Sequence, residues 1–286
     1  MWAHMRHSSQ TIEKIKQLRI DGLTLTEIVS KTGLSKSTVL GYIRNIPKSK
    51  FLVEKIRANV LKGQNKMAAN RRGKSVKNYS FNKPEKWDAG FVNLIGHFLF
   101  DGQISRVSCG YNNRSQKLIQ VVIDGMNKYL NVDDYKIYNN LKTQVTRVSY
   151  HNVEIADFIR KKDEELINYI LYSDRDEKIS FLRAFFDDEG TITFRKNIKA
   201  VRGYQHSVKI LEIVGKLLND VGIKNTIYNN YYEVSISRKE NIIKFQKLIN
   251  FTPGLRVNGK RTNSIWKKDL EKREILRMAV DSYLPA

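Results

Sequence analysis

The chain is 286 residues long and 41% hydrophobic, which is enough apolar surface for a buried core and argues against wholesale disorder. Its 51 Lys and Arg stand against 29 Asp and Glu, a net charge of +22, so polyanions come first among partners. No apolar run approaches the ~20 residues of a membrane span, the first ten residues lack the apolar stretch of a secretory signal, and the single cysteine, Cys109, excludes an intrachain disulfide.

Taken in chain order, the first elements are three short helices. Ile12, Ile15 and Leu18 recur at helical spacing over 11–20, and Asp21-Gly22 supplies a stop. A second helix fits 24–32, with Thr24 as N-cap and Glu27 three residues later. Gly33 makes a tight turn, and a third helix runs over 36–45, with Val39 and Tyr42 facing the core. This pattern resembles a helix-turn-helix of the resolvase and sigma-factor kind. The resemblance implies that Lys36, Ser37 and Thr38 open a recognition helix and that Arg44 contacts the DNA backbone.

Residues 62–79 hold six basic residues, no acids and two glycines. They read as a solvated connector, with Arg71 and Arg72 able to lie along a phosphate backbone. The predicted organisation is a DNA-binding module over 1–50, a basic linker over 51–86 and a larger domain over 87–286.

That larger domain contains a repeat. Leu94-Ile95-Gly96-His97-Phe98-Leu99-Phe100-Asp101-Gly102 is matched by Leu182-Arg183-Ala184-Phe185-Phe186-Asp187-Asp188-Glu189-Gly190. Each copy is an apolar helix ending in an acid and a glycine, followed by an alternating stretch over 103–106 or 191–195. Helices are predicted over 116–130 and 206–221, strands over 143–150 and 231–237, and closing helices over 153–162 and 240–249. The spacing predicts two repeats of the order α-β-β-α-β-β-α, about 87–175 and 176–280, in an α+β fold.

These features resemble the LAGLIDADG homing endonucleases in their single-chain, two-motif form. The resemblance implies that the motif helices pack side by side through Gly96 and Ala184. Their ends would deliver Asp101 and Glu189 to one catalytic centre that binds Mg²⁺, with Mn²⁺ able to substitute. Oxygen ligands without a His/Cys cluster suit such hard cations. The two saddle-shaped sheets would lie along a DNA duplex with Gln103, Ser105, Thr191, Thr193 and Arg195 directed at it. The resemblance also implies a basic catalytic residue after the last sheet, and of those between 251 and 266 Lys260 is favoured.

The expected activity is metal-dependent cleavage of both strands of a long asymmetric DNA site by a monomer. The expected location is the cytoplasm or nucleoid, or an organelle in a eukaryote, with no membrane involved. Two alternatives stand beside it: a DNA-binding regulator that keeps the fold without cutting, and an intron RNA maturase. The segment 254–262 nearly spells a phosphate-binding Walker A loop, but Arg261 stands where Ser or Thr must ligate Mg²⁺.

Overall fold

The computed structural model describes residues 7–71, 80–195, 198–257 and 270–283. The chain forms two compact units, Met1–Tyr79 and Ser80–Ala286.

The first unit begins with α1 (Ser9–Ile20), α2 (Leu25–Thr32) and α3 (Lys36–Ile43). Their starts follow local capping chemistry. The Ser8 hydroxyl accepts from the Thr11 N–H, and Ser35 does the same for Thr38. Thr24 and Glu27 complete a reciprocal capping box. Gly33 ends α2 at φ +67°, a left-handed conformation that glycine adopts without steric cost. Ile15, Ile28, Val39 and Ile43 are buried together as one small core.

The first part of the expected linker, 51–71, belongs to the helix α4 (Lys50–Arg71). The physical reason is composition: Lys, Arg, Ala, Gln, Leu and Met are good helix formers, and one interior glycine does not outweigh them. Leu52 is fully buried, and the Lys55 ammonium donates to the Glu27 carboxylate at 2.9 Å, tying the start of α4 to α2.

The second unit contains the two repeats. The first comprises α5 (Ala89–Asp101), β1 (Gly102–Ile104), β2 (Cys109–Asn113), α6 (Gln116–Leu130), β3 (Lys136–Asn140), β4 (Val145–Tyr150) and α7 (Val153–Tyr169). The second comprises α8 (Arg175–Glu189), β5 (Gly190–Arg195), β6 (Ile198–Tyr204), α9 (Val208–Asp220), β7 (Thr226–Tyr228), β8 (Glu233–Ile236) and α10 (Lys239–Leu248), and α11 (Lys272–Asp281) follows.

Each repeat makes a four-stranded antiparallel sheet, with orders β1-β2-β4-β3 and β5-β6-β8-β7. The α+β architecture is therefore the one the repeated motif predicts. Alternation along the strands sends Tyr111, Val148 and Tyr150 of one sheet, and Val201, Val234 and Ile236 of the other, into a continuous core with the helices. The first strand is shorter than expected. It ends at Ile104, because the Ser105 hydroxyl accepts from the Val107 and Ser108 N–H groups and closes a turn to β2.

Candidate active site

The site is built where α5 and α8 end. Gly96 and Ala184 let the helices meet: a Cβ added at Gly96 would lie 3.0 Å from the Ala184 Cβ. At the far ends, Gly102 and Gly190 follow the acids for a related reason. The chain folds from helix into strand so tightly that a Cβ there would collide with the carbonyl of Phe98 or Phe186. The acid–glycine step thus places one carboxylate from each helix beside the other.

Burial and neighbouring charge act on both acids. Burial, then the nearby Asp188 carboxylate, pushes Asp101 up to about 6. Burial, then Asp101 and Asp188, pushes Glu189 up to about 7. Desolvation and like charge act in the same direction, and each favours the neutral acid. An oxygen-binding cation placed between them would reverse both effects.

The surroundings of the two acids differ. Asp101 accepts a hydrogen bond from the Asn113 amide at 2.8 Å. The same amide donates to the Tyr111 hydroxyl at 3.1 Å, and Tyr111 donates to Asp188. Asp188 is also bonded to His97 Nδ1 at 2.8 Å, with both side chains fully buried. Burial lowers the basicity of His97, but Asp188, Asp187 and Asp101 outweigh it and the net shift is upward. Glu189 has no such tether among the described residues.

Asp187, at the motif's sixth position, is buried and accepts from the Thr252 N–H at 2.8 Å and hydroxyl at 2.6 Å. It anchors the loop after α10, consistent with a structural role for that acid.

A cation that sequence reasoning missed sits beneath the second acid. Lys272, at the start of α11, is buried and donates to the carbonyls of Gly190 at 2.7 Å, Asp187 at 3.1 Å and Phe186 at 3.5 Å. It satisfies the C-terminal carbonyls of α8 and offsets the negative end of that helix dipole. Burial pulls Lys272 down to about 8, against the opposing pull of Asp187, Asp188, Asp101 and Glu189. Lys260, the lysine favoured from sequence, lies outside the described residues, as does Arg72.

Residues 176–250 match the family model of the LAGLIDADG-like domain. A DNA polymerase of Thermococcus kodakarensis (strain ATCC BAA-918 / JCM 12380 / KOD1) is 31% identical over 107 residues, which is 34% of this chain and 6% of that protein. Among solved structures, I-DmoI in complex with DNA and Mn is 21% identical, with a TM-score of 0.46 over 57% of this chain and 97% of that one. The full-length DUF199/WhiA of Thermatoga maritima is 15% identical, with a TM-score of 0.48 over 71% of this chain and 64% of that one.

In the second unit the outer sheet faces carry the remaining residues singled out by sequence. Register puts Thr191, Thr193 and Arg195 opposite Arg202, Ala200 and Ile198, on the face away from buried Ile192 and Val201. Arg202 is paired with Glu233 at 3.5 Å on that face. In the first sheet Gln103 is exposed and accepts from the Arg147 guanidinium at 2.8 Å. The Arg147 side chain lies across Gly110, where a Cβ would come within 2.9 Å of its Nε.

Arg147 and Arg202 thus add a cation to each outer face, and alternation alone signals their orientation. Ser105 faces outward, with its hydroxyl committed to the turn described above.

In the first unit Lys36, Ser37 and Arg44 are exposed on or beside α3. The Thr38 hydroxyl is engaged with Ser35 at 2.7 Å, so it is less available than its position suggests. Arg71 is the last residue of α4.

Proposed function

We propose that the chain is a metal-dependent DNA endonuclease that cuts both strands of a long duplex site. The observation that carries this reading is the pair of carboxylates, Asp101 and Glu189, ending two adjacent helices, with burial and neighbouring carboxylates raising the proton affinity of both. Uncompensated, that arrangement costs stability, and a protein that retains it gains from a cation in the gap.

Among the described residues no group of three or more His, Cys, Asp or Glu side chains is arranged to hold a metal. The donors offered are the two carboxylates, Asp101 and Glu189, and hard oxygen donors of that kind suit Mg²⁺ or Mn²⁺ with water completing the shell. Such a cation would supply Lewis-acid stabilisation of the scissile phosphate and a more acidic bound water.

The chain's own residues do the rest. Asn113 orients the Asp101 carboxylate, Lys272 holds the end of α8 in register, and the outer sheet faces present Gln103, Arg147, Thr191, Thr193, Arg195 and Arg202 to a duplex. Arg and Gln suit the hydrogen-bonding edges of bases, and the cations neutralise phosphates. In the first unit, the capped α2–α3 pair with Lys36, Ser37 and Arg44 is the candidate helix-turn-helix that would extend the recognised site as a separate DNA-binding domain. On this reading the protein also acts as a monomer, in the cytoplasm or nucleoid, or in an organelle of a eukaryote.

The test is binding and cleavage of a randomised duplex library by the full chain with Mg²⁺ and with Mn²⁺. Cleavage abolished in Asp101→Asn and Glu189→Gln, with binding retained, is expected. Sequence-selective binding with no cleavage under either metal overturns the nuclease and favours a non-cutting regulator. Selective binding of a folded RNA over every duplex favours a maturase.

A further inference from the structure

The two motif copies differ at the positions that meet in the helix interface. In α5 the positions turned toward the partner helix are Asn93, His97 and Phe100, and the matching residues of α8 are Phe181, Phe185 and Asp188. The structure pairs them crosswise. Phe100 meets Phe181 and Phe185 edge-on, with ring centroids 5.4 and 5.2 Å apart. On the opposite side of the same interface Asp188 meets His97 at 2.8 Å, and Asn93 donates to the Ser180 carbonyl at 3.1 Å. One seam is aromatic and the other is polar.

The strands behind the helices repeat the distinction. Tyr111, opposite Gly102, hydrogen-bonds Asp188. Its counterpart opposite Gly190 is Gly203, where a Cβ would collide with the Phe185 ring. The hydroxyl that serves the polar seam is therefore replaced by bare backbone at the aromatic one.

We propose that these two seams make the helix face of each repeat selective for the other repeat and hostile to a second copy of itself. Pairing α8 with α8 of another chain would set Asp188 against Phe185 twice, with Gly203 in place of the Tyr111 donor. A buried carboxylate stripped of its partners is among the costliest defects a core can hold. Pairing α5 with α5 would set His97 against Phe100 and remove the Asp188 bond from its Nδ1, where Nε2 already lacks a partner. Two repeats of one fold on one chain face an exchange hazard, since identical interfaces would let a repeat pair with its own copy on another chain as well as with its tethered neighbour. The His97–Asp188 pair removes that degeneracy.

The test uses full-length chains carrying two different tags, denatured together, refolded and captured through one tag. It reads pairing and does not depend on cleavage. Wild-type chains are expected to refold without mixing. His97→Phe with Asp188→Phe, which makes both seams aromatic, is expected to raise the mixed species at least tenfold. In urea, each single replacement should lower the unfolding midpoint and the double replacement should recover much of the loss.

Wild-type mixing equal to that of the double variant overturns the proposal, as do single effects that simply add. If the phenylalanine variants do not refold, Asp188→Asn retains the shape while weakening the partner bonds. Mixing above wild type by a folded Asp188→Asn supports selectivity, and mixing no greater than wild type overturns it.

Discussion

The two repeats follow one topology, yet their acids stand in different settings. Asp101 is held from the side by Asn113, which Tyr111 and Asp188 support in turn. Glu189 is supported from beneath, where Lys272 gathers the carbonyls around the end of α8. At the position matching Asn113, Gln205 accepts from the Ser207 N–H at 3.4 Å, as Asn113 accepts from Ser115 at 2.9 Å. Among the described residues, however, Glu189 receives no hydrogen bond from it. The difference teaches that symmetry of backbone does not enforce symmetry of electrostatics. One acid is fixed by a donor to its carboxylate and the other by neutralisation of the helix that carries it.

The largest effects should come from removing either acid. Asp101→Asn or Glu189→Gln is expected to lower cleavage by about 10²–10³-fold or more, while duplex affinity changes only a few-fold. Equal losses in both variants would show that the unequal settings serve one shared centre. Nicked product from one variant alone would show that each setting serves its own strand.

Next in size is Lys272→Met, which leaves carbonyls at the end of α8 without a donor and the acids without a nearby cation. A loss of about 2–4 kcal/mol in urea unfolding is expected. Asn113→Ala, which touches the other setting, should cost about 1 kcal/mol or less but slow cleavage of one strand more than the other.

The proton affinities give a sharper comparison with a defined sign. Both acids bind protons more tightly folded than unfolded, with values near 6 and 7 in the fold against about 4 for free carboxyls. Their contribution is therefore neutral at low pH and grows destabilising as pH rises from about 4 to about 7. Millimolar Mg²⁺ should then raise the thermal midpoint by about 2–4 °C at pH 8 and by under about 1 °C at pH 5. Glu189→Gln should weaken that dependence more than Asn113→Ala does. The smallest expected effect is that of Arg202→Ala, which should reduce the salt slope of duplex binding by about one.

Much of this molecule is written in local patterns. Caps such as Thr24 with Glu27, the acid–glycine ends of the motif helices and the alternation of Ile192 with Thr191 and Thr193 all act within a few residues. A 3.6- or 2-residue period exposes them without reference to the rest of the chain. α4 is not legible in composition alone, because a basic, glycine-containing segment has the composition of a linker and the propensities of a helix at once. Burial of Leu52 and the Lys55–Glu27 contact tie it to the preceding helices.

The sequence by itself determined the repeat, the α+β order of elements, and Asp101 and Glu189 as paired candidates, since motif, spacing and periodicity carry those. Only the tertiary structure decided which groups surround the acids. Lys272 reaches Gly190 from 82 residues away, and His97 reaches Asp188 from 91. Nothing in the spacing of either residue announces its partner. Such contacts are set by which faces two helices bury against each other, and the energy of a buried charge depends on neighbours that sequence proximity does not specify.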